Sequence, residues 1–418
     1  MDKLEILKRI KILTDEEAVM AGFYSANVAD GIKEAIAKEK KDMKVFNVML
    51  LGKTGVGKST LINNLFSERI AQTGIGKPVT QDIRLYKKEG FPLQVYDTPG
   101  FELGGDNALG KLLDEIGDEI RRGYKSFDIE QSIHCILYCV SATSHRFEDV
   151  EENFIRKFLD LNKDSQIPVI VVLTQSISKK DADELKKHID SLNMGISQVV
   201  PVLAEDYEID ENTVIKAHGL DKLADFIYEV IPEAVKNTYV AVQKASISLK
   251  VKRSQAIVIA AAAAAAATGA VPIPVADSFV LVPEQIAMIA SITNVFGLSL
   301  EKSTIAAIVS GTLGTAGTTI AGKTVVSGIL KLIPGAGSVV GGAISGSVAA
   351  ALTAALGEAY IALMVSILKG TIKIGDLSTE KGRKLIADMF KNKLKLKRDN
   401  KGKLLDEKDN DFGEDKDE

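Results

Sequence analysis

Between residues 44 and 233, short apolar runs at 45–51, 92–96, 133–140, 167–173 and 199–203 alternate with polar segments of helical length. Apolar runs of strand length separated by helical stretches predict a mostly parallel sheet with helices on both faces. A helix from Gly219 to Val230, with Pro232 near its end, is predicted to close this domain. Ahead of it, Leu4, Leu7, Ile10 and Leu13 fall on one helical stripe and the segment from Asp15 to Lys41 lacks proline. Residues 1–42 therefore read as a helical arm.

The pattern changes after residue 237. Residues 254–276 carry no charge over 23 positions and include the eight alanines Ala260–Ala267; 303–322 and 332–357 are uncharged over 20 and 26 positions. Such lengths reach across a bilayer core, but runs of alanine, glycine, serine and threonine also suit a tightly packed helical bundle. The small-residue pairs Gly311/Gly314 and Gly342/Gly346 permit close helix contact in either medium. Pro334, Gly335, Gly337, Gly341 and Gly342 would break a helix and form a hairpin tip, while Asp277, Glu284, Lys323 and Lys331 count against simple spanning. Both readings stay open: a soluble bundle, or peripheral or integral membrane association. The resulting domains are 1–42, an α/β domain over 43–236, an all-α domain over 237–395 and a disordered acidic tail over 396–418.

Composition adds little to this picture. The 418 residues carry a net charge of −4, so no bulk electrostatic argument favours nucleic acid and none is expected as a partner. Lysines 391, 393, 395, 397, 401 and 403 precede the acidic stretch from Asp406 to Glu418. The two cysteines, Cys135 and Cys139, fall on one face of an apolar run, where core packing is expected. Met1–Glu5 shows no apolar signal segment, so the catalytic domain is expected in the cytosol.

The candidate chemistry follows the first apolar run. Gly52-Lys53-Thr54-Gly55-Val56-Gly57-Lys58-Ser59 matches G-x-x-x-x-G-K-[ST] and opens the helix-like Thr60–Phe66. Glycines let the backbone approach phosphates, Lys58 places a cation on the β- and γ-phosphates, and Ser59 offers a hydroxyl to Mg²⁺. Asp97-Thr98-Pro99-Gly100 follows the second run, where Asp97 would hold a Mg²⁺-bound water and the Gly100 amide would report a γ-phosphate. Thr80, in the polar loop 77–82, is the candidate switch hydroxyl that closes on Mg²⁺ and that phosphate.

The set G-K-T-G-V-G-K-S-T, V-T-Q-D, D-T-P-G-F-E and I-P-V-I-V-V-L-T-Q-S resembles the Era-like translation-factor class of GTPases, nearest the branch of septins, chloroplast-import receptors and immunity-related GTPases. The helical arm and the glycine- and alanine-rich C-terminal region resemble bacterial and fungal GTPases that carry a domain of unknown function. The resemblance implies GTP and GDP as ligands, Mg²⁺ as cofactor, hydrolysis of GTP, and a nucleotide-dependent switch acting on a membrane or protein partner through 237–395. A nucleotide-regulated membrane-inserting protein and a ribosome-associated GTPase are the alternatives.

Three departures from the family pattern qualify those expectations. Phe101 stands where relatives place a water-orienting glutamine, so intrinsic hydrolysis should be slow and assisted by a second protomer in a G-domain homodimer, a partner, or another polar residue. Gly55 stands where potassium-activated relatives have asparagine. The base-recognition pattern N/T-K-x-D reads Thr174-Gln175-Ser176-Ile177, without its aspartate. Gln175 could still pack over the base, and Ala204 fits the loop whose amide meets guanine O6; Asp206 or Asp181 would need a different path to the purine. His134, His145, His188 and His218 share no metal-ligand spacing, and Arg146 is a surface arginine or a charge donor to a neighbouring site.

Overall fold

The computed structural model describes residues 27–68, 83–100, 105–268, 283–313 and 346–399. The expectations placed on Leu4, Leu7, Ile10 and Leu13, on Thr80 and its loop, on Phe101, on Gly314, on 334–342 and on the acidic tail lie outside those residues. By contacts the chain divides into two compact units, Lys38–Arg253 with Asn294–Leu298, and Met1–Ala37 with Ser254–Thr293 and Ser299–Glu418. The compositional break at 237 falls inside a helix of the first unit.

Five strands of that unit, β1 (Phe46–Leu51), β3 (Phe91–Asp97), β4 (Cys135–Ser141), β5 (Val169–Thr174) and β6 (Gln198–Pro201), are the apolar runs of the sequence. They pair in parallel, and β2 (Arg84–Lys88) adds an antiparallel edge to give the order β2-β3-β1-β4-β5-β6. β2 carries no apolar alternation because an edge strand has one neighbour and solvent around it; its Arg84, Lys87 and Lys88 are exposed.

Strand alternation sends successive side chains to opposite faces. Met49, Leu51, Ile136, Tyr138, Val140, Val171 and Leu173 meet α3 (Gly105–Ser126), α4 (Asp149–Leu161) and α5 (Lys179–Ser191) through Ile116, Phe154, Phe158, Leu185 and Ile189. On the opposite face, Phe46 lies 5.1 Å from Tyr239 and 6.3 Å from Phe66, ring centre to ring centre. Phe66 ends α2 (Lys58–Leu65), and Tyr239 belongs to α7 (Glu233–Val242), whose hydroxyl donates to Ala224 O on α6 (Leu220–Val230) at 3.0 Å. α7 thus continues the sheet domain past the helix that was expected to close it. A small hairpin, β7 (Tyr207–Asp210) with β8 (Thr213–Ile215), lies between β6 and α6. Its brevity and its five carboxylates between 205 and 211 hid it from the hydrophobic pattern.

The helix over 27–42 (α1) precedes the sheet. α8 (Ile247–Thr268) and α9 (Pro283–Phe296) each run through a division between the units, and α10 (Lys302–Leu313), α11 (Gly346–Leu368) and α12 (Glu380–Asp399) complete the helical unit. There, small residues give close helix contact. A Cβ on Gly357 would stand 2.4 Å from Val258 Cγ2, and one on Gly346 would stand 2.3 Å from Ala266 O, so α11 approaches α8 at backbone distance. Thr293 and Tyr360 share a buried hydroxyl hydrogen bond of 2.7 Å, and Gln285 Nε2 donates to Thr353 Oγ1 at 3.0 Å. Within α11, Ala349–Leu368 is long and apolar enough to cross a membrane, yet most of it is buried inside the fold.

His134 illustrates how the sheet uses a titratable side chain as structure. Its Nδ1 accepts from Asn47 N at 2.9 Å, and its Nε2 donates to Ile129 O at 2.8 Å. Burial pushes its pKa from 6.5 down to about 4. The unfolded chain therefore takes up a proton that the folded one refuses, so the stability present above pH 6.5 is lost as pH falls toward 4. We expect His134→Gln to flatten the pH dependence of urea unfolding between pH 7 and 4 by roughly 3 kcal/mol. An unchanged slope would remove this role.

Candidate functional site

β1 is buried along its whole length and delivers the chain to Gly52, whose φ of +134° only glycine adopts easily. A Cβ there would stand 2.3 Å from Cys139 O, so the loop begins in contact with β4. The loop ends at Gly57, with φ +90°, which caps α2 without any side-chain hydrogen bond and with no acidic residue in the first turn. Free N–H groups at the positive end of a helix are an anion site. Lys58, first residue of α2, reaches across the loop and donates to Gly52 O at 2.8 Å and to Lys53 O at 3.0 Å. Ser59 and Thr60 follow on the same turn, half-buried, while Thr54 and Gly55 are exposed at the tip.

Asp97 ends β3, in register with Leu50 of β1 and Arg84 of β2. It is 6% exposed, and its Oδ1 is buried with no hydrogen-bond partner among the described residues. Burial raises its pKa, and the charges of Lys58 and Arg84 pull it back. Thr98 turns away and donates to Leu50 O at 2.8 Å, and Gly100 follows as a buried backbone. A carboxylate oxygen buried without a donor, beside the turn that carries the Ser59 hydroxyl, is an all-oxygen set suited to a hard divalent cation. The residues fit Mg²⁺, which Ser59 and Asp97 would hold.

At the end of β5 the loop is braced by side chains. Thr174, 3% exposed, donates to Val56 O and to Val140 O, tying β5 to the phosphate loop and to β4. Gln175, with φ +53°, accepts from Ser141 Oγ at 2.6 Å and from Thr143 Oγ1 at 3.4 Å, and its Nε2 donates to Gly55 O at 3.4 Å. Its amide serves the loop and β4. Ser176 N donates to Val202 O at 3.1 Å, which aligns this turn with the loop that carries half-buried Ala204. Asp206 is occupied by Lys216 Nζ and Ala217 N, both at 2.8 Å, and the Lys216 hydrogen bond holds its carboxyl below the usual range. Asp181 lies in the first turn of α5, 3.7 Å from His145.

Residues 47–175 match the family described as 50S ribosome-binding GTPase, and residues 239–395 match a domain of unknown function, DUF697. The chain joins a P-loop GTPase domain to a DUF697 domain. Among curated relatives, human Septin-12 is 25% identical over 208 residues, which are 43% of this chain and 57% of that protein. Mouse Septin-9 is 26% identical over 234 residues, 50% of this chain and 39% of that protein. The chain thus spans about half the length of the curated relatives it matches. Two solved structures are also similar: Era of Aquifex aeolicus bound to GDP and AlF4⁻, at 24% identity and TM-score 0.34, covers 46% of this chain and 58% of that one. Toc33 of Arabidopsis thaliana with GDP and Mg²⁺, at 20% identity and TM-score 0.31, covers 52% of this chain and 95% of that one. Those scores are too low to carry weight beside the sequence matches.

Within the G domain the loop residue Lys53 works outward. Its ammonium meets Glu148 at 2.7 Å and Glu151 at 3.5 Å, the two acids of the capping box of α4. Burial lowers the Lys53 pKa, but its hydrogen bond to Glu148 and the two carboxylate charges outweigh that and raise it; the same hydrogen bond lowers Glu148, while burial raises Glu151. Sequence spacing gave no signal for this pairing across 95 residues. Cys135 and Cys139 are fully buried thiols whose pKa burial pushes up to about 12, as inert as core packing implies. A cleft of about 680 Å³ lies against α4 and α5, between Arg146 and His188; no phosphate-loop residue lines it.

The close approach at Gly52 makes a sharp comparison. Gly52→Ala combines a forbidden φ with a backbone clash and should cost about 3 kcal/mol, whereas Gly55→Ala, at φ +76° in open space, should cost about 1 kcal/mol. Urea midpoints of the two variants check the order.

Proposed function

We propose that this chain binds GTP with Mg²⁺, hydrolyses it slowly to GDP, and uses the difference between the two states to drive its helical region. The observation that carries the reading is the buried, unpartnered Asp97 Oδ1 beside a helix start with free amides and Lys58. In this reading the backbone from Gly52 to Thr60 and the Lys58 ammonium grip the phosphates, and Ser59, Asp97 and Thr80 serve the metal. Bound Mg²⁺ would neutralise phosphate charge. Gly100 and Thr80 would sense the γ-phosphate, since a ligand shifts a conformation only through contacts that differ between its states.

Thr174 and Gln175 act in this account by shaping the loop, and Ala204 contributes backbone to the base side. Guanine preference rests on the family match alone, since 174–177 carries no carboxylate to read the base. A homodimer through the G domain belongs to the same reading, with Arg146 exposed near the start of α4. Membrane or protein engagement through 237–395 is the proposed output, in a cytosolic protein. The description of the matched family favours a second reading, ribosome association, which ribosome co-sedimentation with and without GTP tests.

Lys58→Ala and Ser59→Asn should each weaken GTP binding in Mg²⁺ by at least ~30-fold while leaving the urea midpoint within about 1 kcal/mol of wild type. Titration calorimetry against GTP, GDP and ATP measures this, and unchanged GTP affinity in both variants overturns the site.

A further inference from the structure

The last turn of α7 leaves carbonyls without intrahelical partners, as every helix end does. Three consecutive ones are claimed from two directions. Val242 O accepts from Ser67 N at 2.9 Å and from Ser67 Oγ at 2.7 Å, just past the end of α2. Val240 O and Ala241 O accept from the Lys250 ammonium at 2.6 and 3.2 Å, and the same ammonium reaches Val295 O, near the end of α9, at 2.8 Å.

The α2 side of this junction is dense. Lys244 N donates to Leu65 O at 3.0 Å, Lys244 Nζ donates to Asn63 O at 2.9 Å, and Phe66 bridges Gln243. The other side is close-packed: a Cβ on Gly297 would stand 2.5 Å from Ala241 O. Lys250 is 1% exposed and sits in the first turn of α8, and its three acceptors among the described residues are all main-chain carbonyls.

We propose that this carbonyl cluster is the element by which the nucleotide state reaches α8 and α9. The inference rests on the nucleotide-binding reading above. α2 begins at the phosphate loop and is about 12 Å long, so a shift of the loop moves its far end as a short rigid rod. Val242 O moves with it, and the rest of the α7 end follows. A buried ammonium that loses a carbonyl is left with unsatisfied polar groups, at about 1–3 kcal/mol each. Lys250 therefore follows its acceptors, and α8 and the end of α9 move with it. These two helices continue by covalent connection into the helical unit.

Hydrogen exchange of the full-length chain, with GDP and with the non-hydrolysable analogue GMPPNP in Mg²⁺, reads the coupling, and nucleotide affinity is measured on the same samples. In wild type, amides of 247–258 and 290–298 should differ between the two ligands by at least ~3-fold in rate. Lys250→Met should abolish the difference. Ser67→Ala and Lys244→Met, which cut only the α2 side and keep the clasp, should reduce it by at least half with GMPPNP affinity within about twofold of wild type. Equal exchange in the two wild-type complexes, or an undiminished difference in both α2-side variants, overturns the relay while leaving nucleotide binding intact. Failure of wild type to bind either nucleotide overturns both readings.

Discussion

The phosphate loop leaves β1 so close to β4 that no side chain fits between them. Gly52 lies under the Cys139 carbonyl with a backbone angle only glycine tolerates, and everything downstream is placed from that contact. Because the chain turns there, Gly57 starts α2 with its amides uncapped, and Lys58 lies back over the loop. Thr174 and Gln175 then fasten the loop from β5, so the anion site is assembled from three strands rather than from one motif.

Charge within the site is arranged by burial. Asp97 is held in a desolvated position at the end of β3, faced by Lys58 and Arg84 but lacking a hydrogen-bond donor at Oδ1 among the described residues. A buried carboxylate oxygen without a donor is costly, and a cation with its waters is a natural way to satisfy it. Lys53, by contrast, is turned away from the loop mouth and neutralises the acids that cap α4. Two lysines five residues apart therefore serve separate ends: one stays at the loop, and the other fixes the loop to a neighbouring helix.

Much of the sheet was legible because strands buried on both faces must be mostly apolar, as β1, β4 and β5 are. β2 and the β7–β8 hairpin were not, since exposed strands need no apolar alternation, and α7 straddles the compositional break at 237. Val235, Tyr239 and Val240 are ordinary core residues of the sheet domain. Lys250 reads in sequence as one more lysine in Lys250-Val251-Lys252-Arg253, yet it is buried while Lys252 is exposed. Nothing in its spacing signals three carbonyl acceptors drawn from two other helices.

The sequence by itself determined the parallel sheet, the phosphate loop and the helical nature of the C-terminal region, because periodicity, glycine placement and residue chemistry are local properties of the chain. It also exposed the missing base-recognition carboxylate. Only the tertiary structure decided which side chains serve the loop and which serve its supports: Gln175 bracing Gly55, Lys53 pairing with α4, and Lys250 joining the ends of α7 and α9. Those pairings join residues up to 120 positions apart. Which distant groups meet is set by how strands and helices pack around a common core, and a one-dimensional pattern carries no record of that.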